Sequence, residues 1–133
     1  MSIFRTVFGR FQKQCETSES HRDENLRTRY YKASFNKAFE TAENVLRKDP
    51  SVKMISSAKE HGEMAAEITR GRKYFAIITI VSVRGMESAI DVNISTEQFS
   101  PTGAFPALKK EITGFYSRLD KELTYLGSGR NAE

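Results

Sequence analysis

Tyr74-Phe-Ala-Ile-Ile-Thr-Ile-Val-Ser-Val83 carries no charge and is aromatic or β-branched almost throughout. Such a run predicts a strand buried on both faces, since bulky χ1-restricted side chains pack well on a pleated surface. It is too short to cross a bilayer as a helix, which takes about 20 apolar residues. It therefore stands at the centre of a sheet, and its neighbours can be read outward from it.

Turn signals bound the run. Arg70-Gly71-Arg72-Lys73 precedes it and Arg84-Gly85 follows. Beyond the first turn, residues 63–69 alternate Met64, Ala66 and Ile68 with Glu63, Ala65, Glu67 and Thr69. Beyond the second, residues 88–96 alternate Ile90, Val92 and Ile94 with Asp91, Asn93 and Ser95, the pattern of one dry and one wet face. Residues 52–59 place Val52, Met54 and Ala58 on one parity and reach the next strand through His61-Gly62. Short turns join antiparallel neighbours, so the four strands form a meander in chain order.

Two helical stripes flank these strands. Tyr31, Phe35, Ala38, Phe39, Ala42, Val45 and Leu46 recur at helical steps and predict a helix from about Arg29 to Arg47, stopped by Asp49-Pro50. Leu108, Ile112, Phe115, Leu119, Leu123 and Leu126 predict another from about Pro106 to Leu126, with Gly127 as its cap. The expected fold is α+β: a two-layer sandwich, α-β-β-β-β-α, with a four-stranded antiparallel meander and both helices on one face.

That fold leaves one face of the central strand open. Its two parities are Phe75, Ile77, Thr79, Val81, Val83 and Tyr74, Ala76, Ile78, Ile80, Ser82, and both are apolar. Tyr74, Ile78 and Ile80 are assigned to the uncovered set. Surplus apolar surface of this kind marks a contact with another molecule.

Residues 1–25 read as a separate amphipathic segment and polar linker, ahead of one domain over 26–133. In residues 1–13, Ile3, Phe4, Val7, Phe8 and Phe11 share one helical arc, with Arg5, Arg10 and Lys13 opposite. Packing on the protein's own sheet, or on a neighbouring copy, is the ordinary use of such a face. Docking on an anionic membrane surface is the alternative. From Gln14 to Asn25 the chain is polar and predicts a linker or loop.

The 133 residues suit one domain, and 29% charged against 38% hydrophobic is a globular balance. A net charge of +4 is too small to indicate nucleic acid. The first residues lack a secretory signal's apolar core, and the lone Cys15 fits a reducing compartment, so a cytoplasmic location is expected.

Three segments carry a resemblance: Ile3-Phe-Arg-Thr-Val-Phe-Gly-Arg10, Arg27-Thr-Arg-Tyr-Tyr-Lys32 and Ser117-Arg-Leu-Asp-Lys-Glu-Leu123. The chain from Leu26 to Leu126 resembles a family of small cytosolic proteins of Gram-positive bacteria with no assigned activity. The resemblance implies cytosolic placement and brings no functional residue with it.

Other chemistry-bearing residues have plainer readings. Arg70, Arg72 and Lys73 form a local basic patch at a hairpin tip, distant from Arg84. Arg27, Arg29, Tyr30, Tyr31 and Lys32 mix cations with aromatics, as a helix start also would. Glu63, Glu67 and Asp91 read as solvated members of one sheet face, since strands 2 and 4 are about 10 Å apart. His21 and His61 have no second metal ligand at suitable spacing, and Cys15 has no partner base, so it reads as an exposed, inert thiol. The glycines are scattered singly, with Gly114 assigned to close helix packing. No catalytic, cofactor-binding or metal-ligating set is expected. The sequence points to a non-enzymatic protein-interaction or homo-oligomerising module working through Phe4, Phe8, Phe11, Tyr74, Ile78 and Ile80. A membrane-peripheral protein and a small-ligand-binding domain are the alternatives.

Overall fold

Tight reversals bring the central strands into register. Gly62 is left-handed (φ 68°), and its carbonyl accepts a hydrogen bond from the amide of Ile80 at 2.7 Å. A Cβ at this position would lie 2.4 Å from the Ile80 carbonyl oxygen, so only glycine fits both the backbone angle and the approach. The computed structural model in which this is seen describes residues 13–96 and 105–129.

Along the chain these residues form β1 (Lys13–Glu16), β2 (Arg29–Lys32), α1 (Phe35–Lys48), β3 (Val52–Ala58), β4 (Glu63–Arg70), β5 (Arg72–Arg84), β6 (Glu87–Thr96), α2 (Phe105–Glu122) and β7 (Thr124–Ser128). The fold is α+β, with seven strands in one antiparallel sheet of order β3-β4-β5-β6-β2-β7. The first strand, β1, pairs with β6 beyond the end of β2.

The sheet has three strands more than the sequence pattern predicts, and each extra strand displaces an expectation. Residues 13–16, expected at the linker, pair with β6 and carry Cys15 into the core. Arg29–Lys32, expected as the first turn of a helix, pairs with β6 on one side and β7 on the other. Ser34 explains why the helix starts later: its hydroxyl accepts from the Lys37 amide, the usual N-cap geometry. The C-terminal helix ends at Glu122 rather than Leu126, and Thr124–Ser128 runs on as β7. A Cβ on Gly114 would meet nothing within 4 Å, so close packing does not account for that glycine.

Both helices lie on one face of the sheet. Helix α1 buries Ala38, Phe39, Ala42, Val45 and Leu46, and α2 buries Leu108, Ile112, Phe115, Tyr116 and Leu119. Facing them are Met64, Ala66 and Ile68 of β4, Tyr74, Ala76, Ile78 and Ile80 of β5, and Ile90, Val92 and Ile94 of β6. Each large side chain withdrawn from water here contributes roughly 1.5–3 kcal/mol. Strand β2 is tied to α2 through Asp120, which accepts from Tyr31 Oη at 2.7 Å and from Arg29 Nη1 at 2.6 Å. The Arg29 guanidinium also sits 5.0 Å from the Tyr116 ring centroid and 4.7 Å from that of Tyr125, within cation–π range.

Candidate functional site

The residues singled out from the sequence are not brought together. Tyr74, Ile78 and Ile80, assigned to the open face of the central strand, lie beneath the helices, with Ile78 1% and Ile80 2% exposed. Register explains the reversal. Ile78 stands opposite Met64 and Val92, and Ile80 opposite Ile90, so this parity shares the dry face of its neighbours. The opposite parity is also partly closed: Phe75 and Ile77 are buried within the single chain although they point away from the helices. The centre of β5 therefore presents no apolar surplus. Phe4, Phe8 and Phe11 lie outside the described residues.

The basic hairpin tip is a structural brace. Arg70 donates to Asp49 at 2.9 Å and to Glu111 at 3.0 Å, joining the end of β4 to α1 and α2. Arg118 donates to the same Asp49 carboxylate at 2.7 Å, and the Ser51 amide donates to its other oxygen at 2.9 Å. The hydrogen bond from Arg70, together with those from Arg118 and Ser51, holds the Asp49 carboxyl far below the usual carboxylate range despite burial. Lys73 approaches Glu67 at 3.7 Å. Arg72, on the strand just past Gly71, has one buried guanidinium nitrogen, Nη1, with no hydrogen-bond partner among the described residues. Of the three cations at the tip, Arg70 is thus committed to two carboxylates.

The other titratable candidates are separated too. Glu63 and Asp91 both stand opposite Thr79, on strands either side of β5, about 10 Å apart. Glu67 stands opposite Phe75, four residues along the same strand. The Nδ1 of His21 accepts from the Asp23 amide. Among the described residues no group of three or more His, Cys, Asp and Glu side chains could hold a metal ion. Cys15 is buried rather than exposed, and burial, followed by the negative charge of Asp23, pushes its thiol up. Burial and a raised thiol pKa both disfavour the reactive thiolate.

The face turned away from the helices opens at one end. Past Thr79 the β5 strand has no β4 residue opposite it and pairs only with β6, which pairs in turn with β2, and in this β5–β6 hairpin ribbon every residue from Val81 to Met86 is exposed. Val81 is 51%, Val83 41% and Met86 61% accessible. Between this ribbon and the segment leading into β2 lies a cleft of about 360 Å³, lined by Val81, Val83, Ala89 and Tyr30 and by Glu19, Glu87 and Asp91. Its C-terminal wall is Gly129 (φ 66°), whose amide donates to the Thr28 carbonyl at 2.8 Å. A Cβ there would lie 2.6 Å from the Glu19 carbonyl oxygen, so this wall also requires glycine.

Asp91 is the chemically distinctive residue of the cleft. One of its oxygens, Oδ1, accepts from Thr17 Oγ1 at 2.7 Å and from Thr28 Oγ1 at 2.6 Å. Thr17 Oγ1 in turn accepts from the Val92 amide. No lysine or arginine pairs with Asp91 among the described residues, and burial, only partly offset by the two threonines, raises its pKa, with Glu19 adding to the rise. In the sequence this residue reads as one more member of a wet alternation. Thr17 and Thr28, which make it distinctive, fall in the segment read as linker or just beyond it.

The fold and the cleft define an α+β sheet-and-helix domain with one open ribbon end and a half-buried acid beside it. A scan against protein-family models finds no match to this chain, and a search of the curated proteins finds none either.

Proposed function

We propose that this protein is a non-enzymatic protein-interaction module and that its working surface is the β5–β6 ribbon. One observation supports this above the others. Val81, Val83 and Met86 are exposed together at the end of a sheet whose centre is closed on both faces. Exposed apolar residues clustered where a strand has become the edge of its sheet are a liability unless a contact covers them. The site therefore shifts from Tyr74, Ile78 and Ile80 to the far end of the same strand. Homo-oligomerisation is the simplest form of such a contact.

Sedimentation over roughly 1–100 µM tests the proposal, since contacts of modest area dissociate in the micromolar range. The native chain should associate, and Val81→Ser with Val83→Ser and Met86→Ser should weaken that association while keeping the thermal transition. A chain that stays monomeric throughout and binds no hydrophobic dye refutes the proposal. Cytosolic placement and kinship with the Gram-positive family are carried by the sequence resemblance. To these the described residues add that no helix is long and apolar enough to cross a membrane. Attachment to an anionic membrane through Phe4, Phe8 and Phe11 rests on their amphipathic spacing, and co-sedimentation with anionic liposomes tests it.

A further inference from the structure

We infer that the sheet face turned away from the helices is a docking face for the chain's own residues 1–12, with Phe4, Phe8 and Phe11 seated over Phe75 and Ile77. This goes beyond the interaction reading, which concerns the exposed ribbon, and it uses none of the ribbon's residues. In β4 and β6 this parity reads as the wet one, yet its centre is dry. Ala65 and Ser95 are 0% exposed, Ile77 7% and Phe75 8%. An aromatic ring on an open sheet face keeps one side in water, so these values require a layer above it. Two polar atoms agree. Ser56 Oγ, on the residue opposite Ala65, and Asn93 Oδ1, on the residue opposite Ile77, are buried with no hydrogen-bond partner among the described residues. On a solvated face water would reach both.

The described elements do not supply that layer, since both helices lie on the other face. Outside the described residues, 97–104 join Thr96 to α2 on the helix side, and 130–133 hold no large apolar side chain. Residues 1–12 bring Ile3, Phe4, Val7, Phe8 and Phe11. They also arrive at the right place. They join β1 at Lys13, which stands opposite Thr96, and the adjacent Ser95 stands opposite Phe75. Even at the compact rise of a helix, a segment of this length reaches about 18 Å. The face spans about 10 Å from β4 to β6 and about 13 Å from Phe75 to Thr79, so the segment is long enough to cover it.

The test is made on the full chain in two ways. In the native chain, nuclear Overhauser contacts should join the rings of Phe4, Phe8 or Phe11 to the Ile77 methyls. In a mixture of isotope-labelled and unlabelled copies, those contacts should stay within one copy. Separately, an Ile77→Cys thiol should label slowly, at a rate independent of protein concentration from about 1 to 100 µM, because an intramolecular cover obeys no mass action. Adding Phe4→Ser, Phe8→Ser and Phe11→Ser should speed labelling at position 77 by about tenfold or more, while an Ile78→Cys thiol beneath the helices stays protected. Absence of the ring-to-methyl contacts in the native chain overturns the inference, and that result needs no variant to fold. Unchanged labelling at position 77 in the triple serine chain overturns it too. Contacts between copies, or protection at position 77 that grows with concentration, would assign the face to a second copy instead. Pelleting with anionic liposomes while position 77 stays closed would place the phenylalanines in the bilayer rather than on the sheet, and also overturns it.

Discussion

Replacing Asp49 by Asn should be among the most costly single changes at a polar position of this protein. The native carboxylate is 5% exposed and accepts from Arg70 at 2.9 Å and Arg118 at 2.7 Å. Asn retains an oxygen for the Ser51 amide and much the same shape, so the change isolates the charge. Each charge-assisted bond removed from a buried group is worth about 1.5–3 kcal/mol. Arg70 and Arg118 are themselves 39% and 36% exposed at the side chain, so solvent recovers part of that loss. The expected destabilisation is about 2–3 kcal/mol, or roughly 6–10 °C in Tm for a domain of this size. Urea unfolding followed by circular dichroism measures it. The pH dependence has a definite sign. The folded carboxyl is held below its unfolded value, so its contribution is complete above about pH 5 and is lost as pH falls below about 4 toward the folded pKa. Native and Asp49→Asn stabilities should therefore differ by a constant amount from pH 5 to 8 and converge on acidification. A difference under about 0.5 kcal/mol at pH 7, or one that does not shrink at low pH, would refute the claim that this carboxylate braces the sheet against both helices.

Further substitutions test separate parts of the structure. Gly114→Ala, in an exposed helical position with nothing within 4 Å of the added methyl, should raise stability by about 0.5–1 kcal/mol in thermal or urea unfolding. Ser34→Ala removes the acceptor for the Lys37 amide and should cost about 1 kcal/mol by the same assay. Asp91→Asn should behave in the opposite way to Asp49→Asn. The folded carboxyl is raised, so ionising it costs stability as pH climbs through the window above the unfolded value near 4. The Asn variant should then be at least as stable as the native chain at pH 7, with the gap closing below about pH 4.

The four consecutive strands β3 to β6 are legible in the sequence because turn residues bound each one and alternation marks all but the central one. The parity of β5 is harder. Ile78 and Ile77 are equally apolar, and hydrophobicity alone does not rank them. The answer lies in the neighbours: Met64, Ala66, Ile68 and Ile90, Val92, Ile94 define a dry face, and pairing them in register with β5 puts Ile78 on it. Strands β1, β2 and β7 are four or five residues long and form only because β6 and β2 offer them an edge, which no local pattern reveals. Tyr31 fits a helical stripe and a strand equally well, and the deciding residue is the N-cap Ser34 three positions later. At the cleft, the side chains of Thr17, Thr28 and Asp91 meet across more than sixty residues of chain, a separation that leaves no periodic signature.

Thiol labelling of a Val83→Cys chain gives the most direct check on where this protein makes contact. Native Cys15 is buried and should react slowly, so the new thiol reports on the ribbon. At low concentration it should react at nearly the rate of a free thiol, and a matching Ile78→Cys thiol should stay protected. Raising the protein to about 100 µM should slow labelling at position 83 as partners cover it. A rate at position 83 that does not change with concentration, or rapid labelling at position 78 in a folded chain, would contradict the account.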